Sequence, residues 1–531
     1  MLAVEIVLAL LLLVALLAVL SRRIGIPYPI VMTVGGLAVG LALGLVPELP
    51  HIELAPDLVF LLFLPPILFS AAYFTSLREL RANARPISLL AFGLVLVTTG
   101  AVAVVTHALA PSIGWAGAFA LGAIVSPPDA VAATAIAQRL GLPHRLVVIL
   151  EGESLVNDAT ALVAYRLAVV AAVTGTFSLG DAAISFGLVA AGGVLIGLAV
   201  GWILVEIAKR LRDPPVAVLF SLLGPFAAWI PAETLEVSGV LAVVTAGIVL
   251  GRAAPRILSS DTRVLASGVW QMAIFVLNGL VFILIGLQLP TILDTISAER
   301  TVSELVLLAL AVSGTVIAMR LLWVFPGTYL PRMLSRGLRE RDPAPSPRAV
   351  LILGWAGLRG VVSLAAALAL PFVTNTGDPF PGRDLVLFLT FSVILVTLVG
   401  QGLSLPLLIR RLGIGDDGSA AHEELHAREA AVAAATARLE ELAREWPGHL
   451  ELIERMQREQ EHAAEHLEHD HEAGEGVPMD QEMIEHAAIH QSVIDAQRLA
   501  IIDLRDRGVI GDVALRRVER DLDLDELRSG T

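Results

Sequence analysis

The sequence predicts an all-α polytopic membrane protein with a helical, soluble tail. Three observations carry this. Residues 1–412 form a succession of apolar runs of spanning length; hydrophobic residues make up 56% of the chain, and its mean hydropathy is +0.76. Arginine marks every second connection between those runs. Residues 413–531 turn polar and acidic, with 29 acids against 12 arginines. The expected domains are therefore a membrane domain, 1–412, and an acidic, His-rich helical cytoplasmic tail, 413–531, with a regulatory role. The overall charge of −14 belongs to that solvated tail and implies no nucleic-acid partner.

At about 20 residues per crossing, about 13 transmembrane helices are expected. They lie near 2–20, 27–46, 56–74, 86–109, 115–138, 143–173, 183–208, 216–231, 236–251, 264–289, 302–326, 348–371 and 384–409. The first run lacks a basic leader region and a small-x-small cleavage site, and Arg22-Arg23 follow it, so it reads as a retained span. Alternate connections carry Arg22-Arg23; Arg78, Arg81 and Arg85; Arg139 and Arg145; Lys209, Arg210 and Arg212; Arg252, Arg256 and Arg263; Arg332, Arg336, Arg339, Arg341 and Arg348; and Arg410-Arg411, 20 basic residues in all. The opposite connections hold Arg300 and Arg383 beside Glu48, Asp181, Glu233 and Asp294. Basic loops stay cytoplasmic. The expected topology in the plasma (bacterial inner) membrane is thus N-terminus outside and tail inside.

Two spans read as broken. Ser126-Pro127-Pro128-Asp129 interrupts the fifth, because consecutive prolines remove two donors and clash with the preceding turn. The twelfth carries Gly354, Gly357, Arg359 and Gly360 in close succession. Interrupted helices at corresponding positions of two halves point to an inverted-repeat transporter with its site at the midplane. Spans 1–6 and 8–13 would be the repeats.

The sixth span contains Gly152-Glu-Ser-Leu-Val-Asn-Asp158. A carboxylate at mid-membrane costs at least about 2.5–3.5 kcal/mol by insertion scales, so it marks function by default. Ser154 and Asp158 share one helix face; Glu153 and Asn157 share the neighbouring one. The Ser154 hydroxyl, the Asp158 carboxylate and a carbonyl of the broken fifth span would supply the hard oxygens that a dehydrated alkali ion takes. Without the ion, burial favours a protonated Asp158. Competition of cation and proton for one carboxylate suffices to couple their opposite movements. The alternative is a structural acid satisfied by helix–helix hydrogen bonds. Asn157 would orient Asp158 or bond the backbone of the broken helix. Asp129 reads equally as an N-cap and as a charge that orders the site. Glu153 needs a buried partner; Arg320 is the first choice and Arg359 the second, which would then offset carbonyl ends at its own break.

These motifs identify a resemblance. Gly122-Ala-Ile-Val-Ser-Pro-Pro-Asp-Ala130, Glu151-Gly-Glu-Ser-Leu-Val-Asn-Asp158, Gly357-Leu-Arg-Gly360, Leu64-Pro-Pro-Ile-Leu-Phe-Ser70 and Gln401-Gly402 resemble the cation:proton antiporter-1 family of Na+/H+ exchangers, over about residues 5–412. The resemblance implies a homodimer with a moving core that contains the two discontinuous, crossed helices, elevator-like alternating access and electroneutral exchange of cytoplasmic Na+ or Li+ for external H+. It implies Asp158 as the Na+- and proton-binding acid, helped by Ser154, Asp129 and the backbone at Pro128, with Asn157 separating this branch from electrogenic relatives. The expected partners are a monovalent cation, H+ and membrane lipids. Two departures stand out. The family's usual Ser-Pro-Thr-Asp-Pro has Pro128 for Thr and Ala130 for the last Pro. Ser70 stands where several relatives carry a carboxylate, which leaves preference among Na+, Li+ and K+ open.

No cofactor is expected, and with no cysteine, disulfide and thiolate chemistry are excluded. An enzyme reading lacks a nucleophile–base arrangement, and a tail-gated cation channel lacks a filter repeat. Nine of 12 histidines lie in the tail. His462, His466 and His469, and His486 and His490, have helical spacing that reads mainly as a solvated face, alternatively as a metal site or a pH sensor. Leu439, Leu442, Ile453 and Met456 suggest amphipathic helices, and His471–Pro478 a hinge.

Overall fold

A computed structural model describes residues 2–44, 59–175, 179–297, 300–416, 418–458, 460, 481–507 and 509, with single positions at 518, 522 and 524. The chain divides into two compact units, Met1–Asp417 and Gly418–Thr531. The described residues are overwhelmingly helical, and an isolated β-bridge among them pairs Val373 with Pro379.

The first unit begins with α1 (Leu2–Ile24) and α2 (Tyr28–Gly44). A π-turn, Val59–Phe63, leads into α3 (Leu64–Phe74); α4 (Leu77–Ala82) and α5 (Ala84–Ser88) connect it through a second π-turn, Leu89–Leu94, to α6 (Val95–Leu109). Then come α7 (Gly114–Val125), α8 (Ala130–Arg139), α9 (His144–Thr174), α10 (Leu179–Ala208), α11 (Pro214–Thr234), α12 (Gly239–Ile257), α13 (Ser260–Ser297) and α14 (Val302–Leu334). The unit closes with α15 (Arg336–Arg341), α16 (Pro347–Trp355), α17 (Val361–Leu368), α18 (Arg383–Leu395), a third π-turn at Val396–Gln401 and α19 (Gly402–Leu412).

Among the described residues nine helices are long and apolar enough to cross a membrane, and Tyr28–Gly44, Leu61–Phe74 and Pro111–Val125 are shorter apolar helices. α13 and α14 run 38 and 33 residues, well past the ends of their apolar runs. Pro290, Pro326 and Pro331 lie inside them; hydropathy ends there, but helical hydrogen bonding continues to either side.

Lipid tails are as apolar as leucine, so helices associate by close packing rather than by escape from water. α2 and α13 show how. A side chain at Gly36 would strike the Ile283 carbonyl, and one at Gly286 would strike the backbone of Thr33 and Leu37. Two large apolar clusters result. One gathers α7, α8, α14 and α16–α18 around Leu121, Ile136, Val316, Ile352, Leu364 and Val386. The other gathers α3, α10–α12 and the start of α13 around Phe69, Leu204, Trp229, Val243 and Trp270. α9 belongs to both: Ile149, Leu150 and Tyr165 pack in the first, Leu155 and Ala159 in the second. The acids of the sixth span therefore sit on the seam between two packed bodies.

In the second unit α20 (Ser419–Glu445) and α21 (Gln481–Asp506) are helical. Leu439 and Ile453 are buried, Leu442 is half-buried and Met456 is exposed. His486 and His490 lie on α21, while His462, His466, His469 and the 471–478 segment lie outside the described residues.

Replacing Gly286 by Val adds a side chain where the backbone of α2 lies. The expected outcome is destabilisation at the upper end of the roughly 1–3 kcal/mol typical of overpacking, or beyond it, read as a lower melting temperature and lower monodisperse yield on size exclusion.

Candidate ion-binding site

The two broken spans meet at their breaks. α7 ends at Val125 and α8 begins at Ala130; α16 ends at Trp355 and α17 begins at Val361. Between them the Asp129 N–H donates to the Leu358 carbonyl, 2.7 Å. The Asp129 carboxylate accepts from the Val131 N–H at 2.8 Å and from the Val361 N–H, so one side chain caps the helix beyond each break. The glycines of Gly357-Leu-Arg-Gly360 have a steric reason. A Cβ at Gly360 would land on the Asp129 carboxylate, and one at Gly357 on the Arg320 side chain.

The third π-turn holds the second break from behind. The Thr397 hydroxyl accepts the Arg359 N–H at 3.1 Å, and the Gln401 amide donates to the Trp355 carbonyl at 3.0 Å. Asn157 reaches from α9 to donate to the Pro128 carbonyl, 3.4 Å. Side chains thus replace the hydrogen bonds that both helices forgo at mid-membrane.

Asp158 is buried, with 5% of its surface exposed. It lines a cavity of about 380 Å³ together with Ser154, Asp129, Pro128, Ser70 and Asn278. The cavity runs past Glu151 to Phe74 and Thr75, at the end of α3 that leads into the Arg78–Arg85 connection. Carboxylate, hydroxyl, amide and carbonyl oxygens around one space suit a hard cation. Asp158, Asp129, Ser154 and Pro128 all border this space; Asn157 joins it through the Pro128 carbonyl.

Glu153 points away from the cavity and is fully buried. Arg320 grips it through two hydrogen bonds, 2.5 Å and 2.8 Å, and donates a third to the Leu353 carbonyl at 3.2 Å. Arg359 is equally buried, yet among the described residues its guanidinium nitrogens have no hydrogen-bond acceptor. It neither pairs with Glu153 nor caps the carbonyl ends of its own break; it contributes a positive charge beside Glu153 and Arg320.

Several residues escaped the sequence reading. Glu151 follows the face of Ser154 and Asp158 one turn earlier. Asn278, buried on α13, hydrogen-bonds Tyr28 and borders the cavity; a lone amide in an apolar run was its signal. A third basic residue also lies within a span. Arg166 of α9 donates to both carboxylate oxygens of Glu233 on α11, 2.8 Å each, and both border a second cavity of about 660 Å³.

Comparison with known proteins gives concordant findings. Residues 8–411 match the family described as sodium/hydrogen exchanger, transmembrane. An uncharacterized Na(+)/H(+) exchanger of Mycobacterium tuberculosis is 36% identical over 513 residues, which is 96% of this chain and 93% of that one. A sodium, potassium, lithium and rubidium/H(+) antiporter of Bacillus subtilis is 36% identical over 416 residues, 76% of this chain and 61% of the relative. The sodium proton antiporter MjNhaP1 from Methanocaldococcus jannaschii superimposes with a TM-score of 0.60 at 20% identity, over 78% of this chain and 99% of that one, a likeness of fold.

Glu153→Gln leaves the Arg320 charge buried with a neutral partner. Losing one member of such a pair costs about 3–5 kcal/mol. Glu153→Gln combined with Arg320→Met removes both charges and is expected to recover most of that loss. A double-mutant cycle of melting temperatures in detergent checks the coupling, which additive single effects would refute.

Proposed function

The chain belongs to the transmembrane sodium/hydrogen exchanger family, and from that premise we propose that it moves cytoplasmic Na+ out against external H+ by letting the two ions compete for Asp158. It is a multi-span membrane transporter rather than an enzyme, and its substrates are a monovalent cation and a proton.

One observation carries the proposal: the charge arrangement around the crossing. Arg320 and Arg359 supply two buried positive charges, and Glu153 and Asp129 two negative ones. Asp158 is the remaining carboxylate beside the two breaks, and it lines the cavity, as Glu151 does nearer the start of α9. Carrying a bare negative charge through the membrane interior is costly. Either one Na+ or one H+ on Asp158 cancels it, so both loaded forms bear the same charge. Exchange is then one for one and electroneutral. Asn157, which adds no second titrating group, fits this stoichiometry.

The remaining parts of the proposal draw on the fold and on the family resemblance. The crossed breaks and α9 ride as one body against α3 and α10–α12, and elevator-like motion along that seam exposes Asp158 to each side in turn. The cavity extends toward the end of α3 joined to an arginine-bearing connection. With positive loops inside, this is an inward-open state of a protein of about thirteen spans, with the N-terminus outside and the tail a cytoplasmic regulatory domain. Two copies form the working unit in the plasma membrane, in pH and sodium homeostasis. A second reading, K+/H+ exchange, draws on the Bacillus relative, whose name includes potassium, and on Ser70 in the cavity wall, which adds no second charge for selectivity.

The test is proton movement in proteoliposomes on addition of Na+, Li+ or K+. Wild type is expected to move protons with Na+, unaffected by valinomycin-clamped potential, and Asp158→Asn to lose at least about a hundredfold, the loss expected when the coupling carboxylate is gone. Folded wild-type protein that passes Na+ without proton movement would return the channel reading; a response to K+ alone would select the second reading. Competition also sets a pH signature. Where protons hold the site, the Na+ concentration at half-maximal rate should rise about tenfold for each unit the pH falls.

A further inference from the structure

Three of the basic connections converge on one carboxylate. Arg145 at the start of α9 donates to Asp342 at 2.7 Å, and Arg332 near the end of α14 donates to its other oxygen at 2.5 Å. Arg85 of α5 stands 3.7 Å from that same oxygen, too far for a hydrogen bond. Arg332 is further held by the Thr328 and Asp342 carbonyls, and Arg145 by the Asn83 side chain. Both terminal nitrogens of Arg85 are shielded from solvent and, among the described residues, have no hydrogen-bond acceptor.

Three guanidinium groups thus share one carboxylate, an excess of two positive charges. They also line a common cavity of about 70 Å³, whose other walls include Leu89, Leu90 and Trp323. That is room for several waters at roughly 10–15 Å³ each, or for one tetrahedral oxyanion. A surface arginine normally discharges its donors into water. Here apolar walls surround donors that have no protein acceptor. Planar guanidinium forks match phosphate oxygens in pairs, and such charge-assisted bonds are the strong ones.

We propose that this cavity binds the phosphate of an anionic phospholipid headgroup, with the Arg85 fork as its chief ligand and Arg145 beside it. The surroundings favour a lipid source. Phe92, Leu322 and Leu330, near the cavity on the second π-turn and α14, are exposed apolar side chains of membrane helices. Basic pockets between spanning helices, on the side of the positive loops, suit anionic headgroups. A bound phosphate would tie α5, α9 and α14 together. α9 carries Asp158, so the headgroup would brace the moving body at its cytoplasmic edge without touching the transported ion.

The experiment uses the delipidated full-length protein in neutral detergent and follows its melting temperature by tryptophan fluorescence. Phosphatidylglycerol, phosphatidylcholine and inorganic phosphate are titrated separately at fixed ionic strength, into wild type, Arg85→Gln and Arg145→Gln. Phosphatidylglycerol is expected to raise the wild-type melting temperature and phosphatidylcholine to do so far less. Each variant should need at least about tenfold more phosphatidylglycerol for half the shift, as befits loss of one charge-assisted contact. Asp158→Asn should respond like wild type, which separates this site from the transport site. If inorganic phosphate stabilises wild type and not the variants while phosphatidylglycerol acts on all alike, the ligand is a soluble phosphate and the lipid assignment is overturned. If both folded variants respond to phosphatidylglycerol as wild type does, and phosphate has no effect, there is no anion site.

Discussion

Everything in the membrane unit depends on a rule that water would relax. In hydrocarbon, each backbone N–H and C=O must find a partner inside the protein. A continuous helix satisfies the rule by itself, and two of these helices are not continuous. The groups freed at Ser126–Asp129 and at Ala356–Gly360 are therefore met from elsewhere: the breaks bond one another through Asp129 and Leu358, Asn157 reaches in from α9, and Thr397 and Gln401 from the last span. These bonds tie the two breaks to each other and to α9 and the last span. Gly360 is glycine for the same reason, since any side chain would displace the carboxylate that caps both new helices.

Charge is the second layer and rests on the first. The Glu153–Arg320 pair packs against the second broken span and bonds its Leu353 carbonyl. Buried pairs of this kind add little net stability, but a stranded member is severe. Their value lies in a fixed local charge, against which a single unmatched carboxylate becomes meaningful. With Asp129 committed to backbone N–H groups, Asp158 is left facing the cavity. Both aspartates border that cavity, and they differ in that Asp129 also accepts a backbone N–H beyond each break.

Much of this was legible in the chain. Spans, breaks and acids stand out because lipid makes charge, consecutive proline and clustered glycine conspicuous. Each of the thirteen expected segments is helical over most of its described length. Partners were harder to see. Glu153 announces that it needs a cation, yet nothing in the spacing distinguishes Arg320 from Arg359; three-dimensional packing does. Thr397, Gln401 and Asn278 are neutral residues of a kind common in spans, and their importance lies in backbone groups far away in sequence. Arg166 was obscured because it lies near the far end of a long run, where a basic residue reads as the edge of a loop. Its partner Glu233 had the look of an ordinary loop acid.

The Pro-Pro break shows how far such a site tolerates change. The family's usual threonine would bring an N–H and a hydroxyl to position 128; Pro128 has neither. What the position must provide is the carbonyl, which accepts the Asn157 amide beside the cavity, and proline retains a carbonyl. Each proline also presets its own φ and lacks the N–H that a continuing helix needs, so the double proline enforces the interruption, just beyond the still-helical Ser126, at which the two broken spans meet. At position 130 the usual proline would open the next helix without a donor. Ala130 restores that N–H at a helix's first turn, where free donors add positive potential, directly beside the capping Asp129. The two departures therefore exchange a side-chain oxygen for a more firmly imposed backbone, and they leave a carbonyl oxygen at position 128 on the cavity that Asp158 lines.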